Sequence, residues 1–310
     1  MAARLTQRQP SLDTPESPRP PIASDPAGAT LVRALLMAGA SLNRIDRVAH
    51  CGESFWVYRH KVNRNRYRIA RDLCHDRFCP RCSILRARTI RSALSSYTRG
   101  RTIRFLTLTL RSTLSSLTQN VNRLGKCFTR LRRTPLWRSH VRGGAAFYEI
   151  TRNPQSGLWH AHIHALIEGS FIAQNALATE WEHITGDSRI VDIRYVNSHA
   201  AVSNYVTKYV TKPVTDPLND DLDTLAAAIQ ALRHRKLCTT FGQWRHLRLT
   251  TPPQPSEWER LVHWNELRLD DPEQPRWHPL LKEAVRLAIA GLGPDEFELQ
   301  DQRPPPASTP

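Results

Sequence analysis

The stretch Trp159-His-Ala-His-Ile-His-Ala165 constrains this chain more than any other. Three histidines alternate with small or branched apolar residues, and alternation with period two marks a half-buried β-strand. On such a strand His160, His162 and His164 share one face, while Ala161, Ile163 and Ala165 point to an apolar opposite face. Just upstream, Asn153-Pro-Gln-Ser-Gly157 is a cluster of turn residues. Ala145 to Thr151 and Leu158 to Glu168 are therefore expected to pair as a hairpin. With a turn over Pro154 to Gly157, Glu149 lies across from His162 with its carboxylate on the histidine face. Two neutral imidazoles and a carboxylate can hold a divalent cation and leave coordination positions for water and a phosphate oxygen. His162 and His164 lead the candidate ligands, and Glu149 and His160 compete for the third place. The competing reading is an ordinary polar face of a sheet.

The flanking pattern extends the fold. Arg104-Phe-Leu-Thr-Leu-Thr-Leu-Arg111 alternates as a strand. Ser115 to Arg133 places Leu117, Val121, Leu124, Phe128 and Leu131 at three- and four-residue steps, an amphipathic helix. Ala173 to Thr185 reads as a helix, Ile190 to Val196 as a strand, and Ser198 to Lys212 as a helix ended by Pro213. The order β-α-β-β-α-β-α predicts an α+β fold, an antiparallel sheet with helices packed on it. On the last helix Tyr205 stacks one turn before Tyr209, and Lys208 one turn before Lys212. These tyrosines are either part of a core-facing stripe with Val206 and Val210, or nucleophiles. A phenol with a pKa near 10 needs a polarised electrophile, and a neighbouring lysine can stabilise the charge that develops.

Charge narrows the partner. The chain has 310 residues, 44 Lys and Arg against 28 Asp and Glu, and a formal net charge of +16. Such a balance calls for an anionic partner, nucleic acid or an acidic membrane. No run reaches the roughly 18 apolar residues of a membrane-spanning helix, and Met1 to Thr30 lacks the order of a secretory signal. Nucleic acid is the stronger reading. Between Arg59 and Arg104 stand 14 basic residues against Asp72 and Asp76 alone. The same region holds Cys74, Cys79 and Cys82, and with Cys51 the spacing is C-x22-C-x4-C-x2-C. The C-x2-C knuckle favours one tetrahedral structural Zn²⁺, with His50 or His75 able to replace a thiolate. Six cysteines are too few for a disulfide scaffold and fit a reducing compartment. Cys127 and Cys238 read as core residues. A zinc-shaped Arg-rich segment would contact phosphates, through Arg81, Arg86, Arg88 and Arg91, with an affinity that falls with salt.

Taken in order, Phe105-Leu-Thr-Leu-Thr109, Glu149-Ile-Thr151, His160-Ala-His-Ile-His164 and Tyr205-x-x-Lys-Tyr209 resemble the motifs of the rolling-circle replication initiators. These are HUH (His-hydrophobic-His) endonucleases of small plasmids and single-stranded DNA phages. The resemblance covers roughly Cys51 to Lys212. It implies an HUH/RRM-like nuclease core preceded by a small zinc-binding module, in a bacterial cytoplasmic protein. It also implies Mg²⁺ or Mn²⁺ held by His162 and His164, with Tyr209 attacking a backbone phosphate of single-stranded or cruciform origin DNA. That attack leaves a 5′-phosphotyrosyl link and a free 3′-OH, with Lys208 beside the nucleophile and Lys212 on the DNA. The chain departs from the plasmid pattern at one position. Relatives commonly carry Glu four residues before the tyrosine, and here Tyr205 stands there. The pair resembles the two-tyrosine phage replication A proteins, in which either tyrosine can attack. A two-tyrosine HUH transposase and a non-catalytic zinc-dependent DNA-binding regulator remain as alternatives.

The expected organisation is a disordered tail over 1–40, a zinc-binding basic module over 41–100 and a nuclease domain over 101–215. A C-terminal helical region of unassigned role over 216–300 and a short tail over 301–310 complete it. Leu280 to Gly293 reads as an amphipathic helix, for core packing or for docking a host helicase.

Overall fold

The computed structural model describes residues 26–153, 155–196, 198, 201–202, 204–205, 221–249, 257–267, 279–289 and 296–300. In chain order the helices are α1 (Pro26–Met37), α2 (Leu42–Ala49), α3 (Pro80–Tyr97), α4 (Leu117–Leu131), α5 (Pro135–His140), α6 (Gln174–Thr185), α7 (Leu222–Ala231) and α8 (Pro279–Ile289). The strands are β1 (Phe55–His60), β2 (Arg66–Arg71), β3 (Ile103–Thr109), β4 (Val141–Arg152), β5 (Trp159–Gly169), β6 (Val191–Tyr195), β7 (Cys238–Gly242), β8 (Trp258–His263) and β9 (Glu296–Gln300). The fold is α+β, with two antiparallel sheets carried by two compact units.

The first unit holds a four-stranded sheet in the order β8-β1-β2-β9. Strands β1 and β2 form a hairpin with Val57 opposite Ile69. Strand β8 adds to β1, held by an ion pair between Arg59 and Glu259 at 2.8 Å. Strand β9 adds to β2, where Arg66 meets Glu298 at 2.9 Å. Helix α8 lays Leu281, Ala284, Val285 and Ala288 into a core with Phe55, Val57, Ile69 and Leu299. Core packing is thus the role of this helix, although Leu287 and Ile289 stay exposed.

The second unit holds a five-stranded sheet in the order β6-β3-β5-β4-β7. The histidine-bearing strand β5 is central, which is why its apolar positions Ala161, Ile163, Ala165 and Ile167 are all buried. On that face Leu106 and Leu108 of β3 join Leu124 and Phe128 of α4 and Leu177 and Trp181 of α6 in one core. Burying each such side chain contributes about 1.5–3 kcal/mol. Helix α4 starts at a capping box in which Ser116 accepts from the Gln119 N–H and Gln119 reaches back to the Ser116 N–H. The opposite face of the sheet carries a second cluster, with Ile90 and Leu94 of α3 against Ile103, Ala145, Phe147 and Leu166. Strand parity places the histidines on this second face.

Two stretches differ from the sequence reading. Within residues 1–40, read as a tail, Pro26–Met37 is helical because Leu31, Ala34 and Leu35 recur at helical spacing and are fully buried. Within residues 216–300, read as helical, β7, β8 and β9 supply edge strands to the two sheets. Each pairs with a strand distant in sequence, so no hairpin signal precedes it. Among the described residues no helix is long and apolar enough to cross a membrane.

Candidate functional site

The β4–β5 hairpin sets the site. Asn153 holds the turn, its Oδ1 accepting from the backbone N–H of Gln155 and of Ser156, both at 2.9 Å. Gly157 adopts φ 67°, a left-handed conformation that glycine takes without a Cβ penalty. This turn fixes the register Glu149 opposite His162, Phe147 opposite His164 and Thr151 opposite His160. The three imidazoles form a ladder, with neighbouring ring centroids 6.3 and 6.1 Å apart.

A second ladder, of hydroxyls, runs beside the first. Thr107 of β3 pairs with His164 and Thr109 with His162. Their Oγ1 atoms lie 3.1 Å from the Nδ1 atoms of those same histidines, and Ser112 Oγ lies 2.7 Å from His160 Nδ1. When Nδ1–H donates to the hydroxyl oxygen, Nε2 presents a lone pair outward, the form a metal ligand needs. No protein hydrogen bond engages Nε2 of His160 or His162 among the described residues. His164 differs. Its Nε2 is 2.6 Å from Glu149 Oε2, so Glu149, although registered with His162, closes on His164. His164 is buried and Glu149 largely so, which strengthens the pair by excluding water. Burial also holds the His162 pKa below the ordinary imidazole value, against the pull of Glu149, and so favours the neutral ligand form.

Tyr205 completes the described part of the site. Its ring stacks on Phe105 of β3 with centroids 3.8 Å apart and planes 4° from parallel. Its hydroxyl donates to the Leu106 carbonyl at 3.1 Å, and its ring meets His164 edge-on with centroids 6.3 Å apart. Tyr209, Lys208 and Lys212 lie outside the described residues.

The cysteines gather separately. The sulfurs of Cys51, Cys74, Cys79 and Cys82 all lie within 4.8 Å of one another, the only such ligand group among the described residues. All four are buried, and Cys51 Sγ accepts from the Cys74 N–H at 3.4 Å. Four convergent buried thiols have the chemistry of a tetrahedral zinc site, so His50 and His75 are not needed as replacements. His50 instead turns Nδ1 to the Asp46 carbonyl at 2.9 Å. Cys79 caps α3 and Cys82 sits in its first turn, and Arg81, Arg86, Arg88 and Arg91 follow along the same helix. Arg86 donates to the His75 carbonyl at 2.7 Å, which helps fix the segment ahead of the helix.

Comparison with known proteins places the chain in a family. The family model described as Replication protein aligns with residues 66–278, more than two thirds of the chain. The chain belongs to the rolling-circle replication-protein family. No curated protein and no solved structure matches it significantly. In this replication protein the matched span contains β3, the histidine hairpin, Tyr205 and three of the four clustered cysteines, and it leaves out Cys51. The sequence reading of the replication initiator named the imidazoles, the carboxylate and the cysteines as candidates but did not name the hydroxyl ladder. Its signal was present, since Thr107 and Thr109 alternate on a strand.

Proposed function

We propose that this replication initiator nicks and rejoins origin DNA by tyrosine transesterification, on single-stranded or cruciform DNA. The observation that carries this reading is the placement of Tyr205, His164, His162 and Glu149 on one face of β3, β4 and β5, with Glu149 closed on His164 and the Tyr205 ring edge-on to it. Imidazole nitrogens set by hydroxyl partners, together with one carboxylate, make a donor set that suits Mn²⁺ or Mg²⁺. His162 and His164 would hold that cation, with Glu149 or His160 as third donor. When bound, it would neutralise charge on the scissile phosphate and position that group. Tyr209 and Tyr205 are the nucleophiles. The phenolic oxygen bonds to phosphorus as the 3′ oxygen leaves and takes up a proton, which yields the 5′-phosphotyrosyl link and a 3′-OH. Tyr205 gives up its bond to the Leu106 carbonyl before it can act. Lys208 stabilises the phenolate, while Lys212 and the α3 arginines Arg81, Arg86, Arg88 and Arg91 hold phosphates. The four-cysteine site holds Zn²⁺ and shapes the start of α3.

The test uses the full chain with Mn²⁺ and single-stranded DNA tiled across the replicon that encodes it. The expected result is a covalent adduct on one tile, mapped by mass spectrometry to Tyr209 or Tyr205. DNA binding on every tile with no adduct on any would reject the nicking reading.

A further inference from the structure

On the face of the five-stranded sheet that packs α4 and α6, opposite the histidines, lies an open recess of about 300 Å³. Helix α4 and the segment before β7 wall it, and Tyr148 of β4 also lines it. Three cations, Lys126, Arg235 and Lys236, face it, with no carboxylate lining it among the described residues. Arg235 is held in place, with Nε donating to the Ala231 carbonyl and Nη1 to Asn122 Oδ1, both at 2.8 Å. Two of its five N–H groups are spent and the rest of the fork is available. Neither lysine makes an ion pair among the described residues. The Tyr148 hydroxyl likewise has no hydrogen-bond partner there, and burial raises its pKa, so it is a neutral O–H donor.

Gly125 adds an independent observation. It sits inside α4 without a positive φ, where alanine is the better helix former. A Cβ there would point at the Tyr148 hydroxyl, 3.5 Å away, in ordinary contact and with nothing else close. Packing therefore does not demand glycine, and a larger side chain would enter the cavity.

We infer that this cavity is a phosphate-binding subsite, filled by a phosphodiester of a DNA strand on the back of the sheet or by the phosphate of a free nucleotide. A fixed guanidinium, two exposed ammonium groups and a neutral phenol make a recess rich in donors and positive charge, which a phosphate satisfies and a cation or apolar ligand does not. The site requires no nicking, so its fate is separable from that of the histidine face.

The experiment uses the full chain without added Mg²⁺ or Mn²⁺ and a fluorescent oligothymidine titrated at several salt concentrations. Each single-strand phosphate contact contributes about 0.7 to the slope of log affinity against log salt. The Lys126→Gln/Lys236→Gln variant is expected to bind more weakly at low salt, with a slope shallower by about 0.7–1.4. Gly125→Leu, which fills the recess and leaves the charge unchanged, is expected to weaken binding as well. Melting temperatures matched to wild type exclude a folding defect, and the two variants fail independently. A second arm follows acetylation of Lys126 and Lys236 by mass spectrometry. Protection by oligothymidine alone assigns the site to a DNA strand, and protection by thymidine diphosphate as well assigns it to nucleotide phosphates in general. An unchanged slope in the lysine variant with no protection by either ligand overturns the proposal.

Discussion

Thr109 shows how much of this site is set by single hydroxyls. Its Oγ1 is 3.1 Å from His162 Nδ1, and by accepting from an Nδ1–H it would leave the Nε2 lone pair to a metal. Partners of that kind typically change metal affinity 10- to 100-fold when removed. Thr109→Val is therefore expected to weaken Mn²⁺ binding by about that factor, read by calorimetry on the DNA-free protein, while Thr109→Ser retains it. An unchanged affinity in the valine variant would remove Thr109 from the site. Tyr205 poses a different question, because its hydroxyl is engaged with the Leu106 carbonyl and its ring lies flat on Phe105. Tyr205→Phe keeps the stack and loses one hydrogen bond, at a cost of about 1 kcal/mol in urea unfolding. If both phenols attack DNA, the same variant nicks but fails to terminate normally. Wild-type nicking, joining and termination in Tyr205→Phe would leave Tyr209 as the single nucleophile.

At the scale of elements, β4 combines two demands. It must present Glu149 to the histidine face, and it must let β7 approach closely along its first half. Gly144 meets the second demand. A Cβ there would collide with the Leu166 carbonyl oxygen and press on the Phe241 ring. Gly144→Ala is expected to destabilise the fold by about 1–3 kcal/mol, seen as a lower urea midpoint with an unchanged m-value. A midpoint equal to wild type would show that β5 and β7 can both give way without cost. The same two strands mark where sequence is informative. The β4–β5 pairing was readable because alternation and a turn of Asn, Ser and Gly act over neighbouring residues, and they fix Glu149 opposite His162. Strand β9 also alternates, with Phe297 and Leu299 between polar residues, yet its partner β2 lies some 230 residues earlier. Nothing local encodes that pairing, so the strand was invisible. The Tyr205 stack on Phe105 was hidden for the same reason, since it joins a strand to a segment 100 residues away. The hydroxyl ladder was overlooked although its period-two threonines were in view, because only pairing with β5 gives them a function.

For the molecule as a whole, the basic balance and the four-cysteine cluster have to be read together. A net charge of +16 resists compaction, and much of it stands beside Cys74, Cys79 and Cys82. Zinc bound by four thiolates would offset part of that repulsion, because each ligand contributes a negative charge in the bound state. The six cysteines then divide by chemistry. Burial raises the pKa of Cys127, and desolvation pushes the partly buried thiol of Cys238 up to about 12, so neither forms a reactive thiolate at neutral pH. Cys51, Cys74, Cys79 and Cys82 would be unreactive for a different reason, their thiolates being bound to metal. The purified chain is expected to carry one zinc by elemental analysis and to resist alkylation at all six positions. After treatment with a strong chelator, mass spectrometry should find those four cysteines alkylated first, with Cys127 and Cys238 following only as the protein unfolds. The melting temperature should fall in parallel, since metal affinity at such a site is folding free energy. Rapid labelling of the four before chelation, or a zinc content near zero in folded protein, would mean that the thiols converge for packing alone and that α3 is ordered without metal.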